Sequence, residues 1–154
     1  MRTKFSYWIY CCTFLLFSCG GLQKMSKKSN LTGHIYEHQY NNMPMVGKKS
    51  SNGIPLKTVL YIYEPTALNQ VEENLLPGNT ITTIFSKRLD SVQSNEKGAF
   101  AMQLKPGKYS VFVQYGKGYY IPYFSGNNWL GLIDIKPNEQ QVLDIHVQSN
   151  ASFE

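Results

Sequence analysis

The chain has 154 residues, of which 14% are aromatic and 16% charged, and its 15 basic and 10 acidic side chains give a net charge of +5. That length suits one domain with an adequate core, and so modest a charge lacks the basic stripe of a nucleic-acid-binding fold, so no nucleic-acid partner is expected. The three cysteines, Cys11, Cys12 and Cys19, all lie near the N-terminus, which leaves the rest of the chain without disulfides or thiol chemistry.

Arg2 and Lys4 precede FSYWIYCCTFLLF, a mostly apolar run of 13 residues over 5–17. A membrane-spanning helix needs roughly 20; the charged start and short apolar run are those of an export signal, which is set aside before fold reasoning. The run closes on Leu16-Phe17-Ser18-Cys19. An aliphatic residue, a small residue and a cysteine in this order resemble the lipobox of bacterial lipoproteins. The resemblance implies cleavage before Cys19 by signal peptidase II and lipidation of Cys19. A buried methylene contributes about 0.8 kcal/mol and stable anchoring takes more than one chain, a condition that a diacylglyceryl group and an N-acyl chain meet together. Removal of residues 1–18 leaves 136 of the 154, and the loss of Arg2 and Lys4 takes the charge from +5 to +3.

Residues 19–30 form the acylated tether, and GGLQKMSKKSN over 20–30 has no periodicity and few large apolar groups. It reads as a flexible leash reaching at most about 35–40 Å. Lys24, Lys27 and Lys28 are placed to lie against anionic head groups. No acidic residue follows Cys19 directly, which favours an outer-membrane lipoprotein facing the periplasm.

From residue 31 to 154 the chain reads as one domain with a period of two. Leu60 and Ile62 alternate with Val59, Tyr61 and Tyr63; Phe100, Met102 and Leu104 form one set, Tyr109, Val111 and Val113 another, and Leu143, Ile145 and Val147 a fourth. Each places apolar groups on one face, as a half-buried strand requires. ITTIF (81–85) and WLGLIDI (129–135) are strand-like by β-branched and aromatic content. Turn signals separate them: Asn-Gly at 52–53, Pro-Gly at 77–78 and 106–107, Asn-Glu-Lys-Gly at 95–98, Gly-Lys-Gly at 116–118 and Ser-Gly-Asn-Asn at 125–128. Only TALNQVEENLL (66–76) offers a helical turn or two before Pro77. The expected class is all-β, a single antiparallel sandwich of about seven strands.

SNEKGAFAMQLKPGKYSVFVQYGKGYY (94–120) resembles the core signature of carboxypeptidase regulatory-like domains, carried by Gly98, Phe100, Leu104, Pro106, Gly107, Tyr109, Val111 and Val113. LTGHI, the NMP at 42–44 and KTVLYIYEP resemble lipoprotein members, and with gaps the likeness spans most of 31–148. It implies an Ig-like or transthyretin-like sandwich with a structural or binding role and no shared catalytic residues. Asn95 departs from the Asp of many relatives, and Asn serves the same turn. In physical terms Gly98 permits positive φ at a hairpin, Phe100 and Leu104 point inward, and Tyr109 can bury its ring while its hydroxyl reaches backbone, as in a tyrosine corner.

Three candidate sites stand out. HIYEH (34–38) has the spacing of a zinc-peptidase motif, the basis of an alternative reading as a metal-dependent hydrolase using His34, Glu37 and His38. On a helix the two histidines would share a face; on a strand they stand about 13 Å apart, beyond the reach of one ion. His38, Met43 and Met45 form a softer set suited to Cu(I). The third candidate is the ring cluster Tyr119, Tyr120, Tyr123, Phe124 and Trp129, where Pro122 points to an edge or loop. Tyr119, Tyr120, Tyr123 and Trp129 form a possible binding surface for an envelope protein or a glycan. There is neither a G-x-S-x-G elbow nor a glycine-rich phosphate loop. The expectation is a non-enzymatic envelope lipoprotein with no cofactor and no metal, acting as a binding, scaffolding or purely structural module.

Overall fold

The computed structural model describes residues 30–39, 53–72 and 79–149. They form thirteen strands: β1 (Leu31–Gln39), β2 (Ile54–Pro55), β3 (Val59–Tyr63), β4 (Thr80–Ile81), β5 (Arg88–Gln93), β6 (Ala99–Met102), β7 (Gly107–Tyr115), β8 (Gly118–Tyr120), β9 (Phe124–Ser125), β10 (Trp129–Leu130), β11 (Leu132–Ile135), β12 (Gln141–Val142) and β13 (Ile145–Ser149). The all-β class is as expected, but the strands outnumber the seven anticipated, because five of them are only two residues long. Within 66–72 the candidate helix shrinks to a 3-10 turn at Leu68–Gln70.

Two sheets pack face to face. The first is built on β1, with β12 and β13 beside it in parallel and β6 and β2 antiparallel across its other edge. The parallel pairs depart from a purely antiparallel sandwich; β1 and β13 come from opposite ends of the domain, so no hairpin dictates their direction. The second sheet runs β4-β8-β7-β3-β5, with β11 also beside β7, and its pairs are all antiparallel. The Asn95–Gly98 turn carries the chain between the sheets and is not a hairpin within one. Gly98 has φ +72°, and the Asn95 carboxamide oxygen accepts the backbone N–H groups of Lys97 and Ala99 at 2.9 and 3.0 Å.

Alternation decides what lies between the layers. Leu31 and Ile35 from β1 and Ile145 and Val147 from β13 meet Leu60, Ile62, Val111 and Val113 from β3 and β7, with Phe100 and Leu104 closing the same core. The Tyr109 hydroxyl donates to the Lys105 carbonyl at 2.9 Å, the short-range pin expected of a tyrosine corner. β3 and β7 are apolar on both faces, and the outer one carries a second core. Tyr63, Phe112, Ile81, Ile121, Val71 and Leu130 are buried there, under segments drawn from 66–72, 79–86 and 121–130. Ser110 and Thr66 are buried between these layers, and the Ser110 hydroxyl accepts the Thr66 N–H at 2.9 Å.

The partner edge of β1 is broken between β12 and β13. Leu143 crosses so close to Gly33 that an added Cβ would overlap its carbonyl oxygen. Asp144 supplies the missing ladder acceptor with its side chain, taking the His34 backbone N–H at 2.9 Å.

Candidate functional site

HIYEH lies wholly within β1, so its residues alternate between the two faces of a strand. His34, Tyr36 and His38 share the outer face of the first sheet. The Tyr36 ring stacks on His34 at a centroid separation of 5.8 Å and on His146 of β13 at 5.5 Å. His34 also lies 3.5 Å from the Asp144 carboxylate through Nδ1. Glu37 points the other way, where its Oε1 accepts the Tyr115 hydroxyl at 2.7 Å. The peptidase arrangement needs both imidazoles and a nearby carboxylate around one ion; β1 separates the imidazoles with a phenol and places the carboxylate on the opposite side. Among the described residues no group of three or more His, Cys, Asp or Glu side chains could hold a metal ion. Met43 and Met45 lie outside the described residues, as does Cys19.

The sequence reading missed His146. Its place in VLDIHVQ, between the inward Ile145 and Val147, puts it on the outer face, but nothing local brings it to His38. Their side chains meet, with His38 Nε2 and His146 Nδ1 at 2.7 Å, only because β1 and β13 pair in parallel, with Tyr36 opposite His146.

The aromatic segment does not form one exposed surface. Tyr120 is 3% exposed, and its hydroxyl donates to the His146 carbonyl at 3.0 Å; burial raises the pKa of its phenol. Tyr123 is half-buried against the main core, donates to the Leu132 carbonyl at 3.1 Å, and is pushed by desolvation to about 12. Tyr120 is removed from the expected contact surface, because a strand with cores on both faces buries rings that an edge strand would show, and the half-buried Tyr123, which follows β8, turns its hydroxyl onto backbone. Tyr119 is half-buried in an edge-to-face cluster with Tyr61 and Tyr63 at 5.4 and 6.4 Å. Tyr63 in turn packs on Phe112 at 5.4 Å, and its phenol is raised to about 12, chiefly by burial. Arg88 caps the outside of the cluster, 5.5 Å over the Tyr61 ring.

Exposed large apolar side chains occur on both sheets, Ile54 and Val142 on the first among them, and several lie on the outer layer. Phe85 is 69% exposed, Phe124 48% and Leu68 40%, and Trp129 is half-buried. Backbone bonds make their segments neighbours: Ala67 bridges Trp129, Trp129 pairs with Ser125, and the Phe85 N–H reaches the Gln70 carbonyl at 2.9 Å. Phe124 belongs to the ring cluster picked out from sequence, whereas Leu68 and Phe85 were not singled out; their exposure could not be read without knowing which segments cover the second core.

Comparison with known proteins adds no identity. No family model matches the chain, and no curated protein or solved structure is significantly similar to it. Among the described residues no helix is long and apolar enough to cross a membrane. The arrangement offers two surfaces of chemical interest: apolar side chains on the outer layer over the second sheet, and the imidazole–phenol row on the outer face of the first.

Proposed function

We propose that this chain is a non-enzymatic bacterial lipoprotein, held at the cell envelope by lipid on Cys19 and serving there as a binding or scaffolding module. The observation that carries the reading is Leu16-Phe17-Ser18-Cys19 at the end of a charged-then-apolar start, ahead of a β-sandwich. The likeness of 94–120 to carboxypeptidase regulatory-like domains supports a binding role over catalysis. The absence of acidic residues just after Cys19 supports the periplasmic face of the outer membrane.

The contact surface of this proposal moves from the tyrosines to the exposed side chains around Trp129. Leu68, Phe85 and Phe124 present apolar groups to solvent, and large exposed apolar groups that lie together mark sites of association. An envelope protein or a glycan is the partner in view.

Metabolic labelling with an alkyne fatty acid tests the anchor. The wild-type chain should take up label and fractionate with membranes, and Cys19→Ala should do neither. An unlabelled, soluble wild-type chain overturns the reading. Cross-linking in cells followed by mass spectrometry tests the contact surface, with Phe85→Ser expected to lose partners that the wild type captures.

A further inference from the structure

We infer that His38 and His146 form a surface chelate for one late first-row divalent cation such as Ni²⁺, Cu²⁺ or Zn²⁺. The chain has three histidines, and the fold gathers all of them on the outer face of the first sheet. Two of them turn ring nitrogens toward each other: His38 Nε2 and His146 Nδ1 are 2.7 Å apart, with ring centroids at 4.9 Å. Nitrogen–metal bonds of 2.0–2.1 Å place two imidazole donors about 2.9–3.4 Å apart around one ion. Reaching that spacing takes a widening of less than about 1 Å and a χ2 turn of each ring that swings both lone pairs off the line between the nitrogens and onto one ion, a torsion that is broad in histidine. The Cα positions need not move, because the parallel ladder from Ile35↔Ile145 to Gln39↔Ser149 fixes them.

The chemistry of the pair sets the class of ion. Two neutral imidazoles suit Zn²⁺, Cu²⁺ and Ni²⁺, whereas Mg²⁺ and Ca²⁺ require oxygen donors. His34 is kept out of the chelate by the Tyr36 ring, which stacks between it and His146. Water would fill the remaining positions of the ion. Binding needs both facing nitrogens unprotonated, so whichever of them donates in that bond gives up its proton to solvent as the ion enters. The site involves a different histidine pair from HIYEH and does not depend on the acyl anchor.

Calorimetric titration of Ni²⁺ into the full chain, with its cysteines alkylated beforehand, tests this. The wild type should bind one equivalent, and His34→Ala should bind equally well. His38→Ala and His146→Ala should each lose at least about tenfold in affinity, because removal of either ring ends the chelate. His146→Gln serves as a second variant: it keeps a hydrogen-bonding side chain beside His38, so its melting temperature should stay near wild type while Ni²⁺ affinity still falls. Mg²⁺ should produce no binding heat. A wild-type chain without stoichiometric Ni²⁺ binding overturns the inference. So does undiminished binding by His38→Ala and His146→Gln, or an equal loss in His34→Ala.

Discussion

The Tyr120 hydroxyl on β8 donates to the His146 carbonyl on β13 at 3.0 Å, so a side chain of the second sheet bonds to the backbone of the first through the core they share. Tyr120→Phe should remove that bond and cost about 1 kcal/mol. Tyr120→Ala should also leave a cavity and cost about 3–5 kcal/mol. Urea unfolding curves measure both, and a negligible loss for Tyr120→Ala would place the ring at the surface after all.

Ser110 and Thr66 lie buried together, and the Ser110 hydroxyl is the acceptor for the Thr66 N–H. Ser110→Ala should strand that donor away from water and destabilise the fold by about 1–3 kcal/mol. Chemical denaturation should show the loss as a lower midpoint with an unchanged slope.

Gly33 lies against the Leu143 carbonyl where β12 gives way to β13. Gly33→Ala should force β1 and the Leu143 backbone apart, at a cost of about 3 kcal/mol by overpacking. A thermal melt is the check; an unchanged midpoint would mean that the two backbones separate at little cost.

The phenols of Tyr63 and Tyr123 are raised to about 12 from an ordinary value of 10.0. Folding therefore favours their neutral form. The associated stability is complete below about pH 10, falls as the unfolded-state phenol ionises, and is fully lost once pH passes the folded value. Tyr123→Phe should flatten this alkaline fall, because one of its causes is gone. Tyrosinate absorbance, followed alongside circular dichroism through an alkaline titration, reads both effects.

Phe85 and Phe124 face solvent. Phe85→Ser and Phe124→Ser should each change stability by less than about 0.5 kcal/mol. A larger fall in the melting temperature would show that these rings help to cover the second core.

The inward face of the main core was legible because period two needs no knowledge of neighbours. Leu60, Ile62, Val111, Val113, Ile145 and Val147 all bury as their alternation requires. The Tyr109 pin and the positive φ of Gly98 were legible too, since each depends on residues within four positions. The outer core was not. Tyr61, Tyr63 and Phe112 fall on the face that alternation leaves to solvent, and they are covered only because distant segments fold over them. β5 was missed because RLDSVQ has few apolar groups, as befits the last strand in the order of its sheet. The histidines followed the same logic. That His34 and His38 could not share one ion was readable from strand rise; that His38 meets His146, 108 residues away, depended on a pairing between the two ends of the domain.

That pairing has a temporal consequence. β1 leads the described domain and β13 ends it, with ladder partners such as Ile35 and Ile145. In folding, the leading strand must wait, one long edge vacant, until the chain as far as Ile145 comes into place. Loop closure over such a separation is slow and comes late. A chain cut short of Ile145 therefore keeps that edge of β1 bare and open to proteolysis, so the pairing ties the integrity of the first described strand to that of the last.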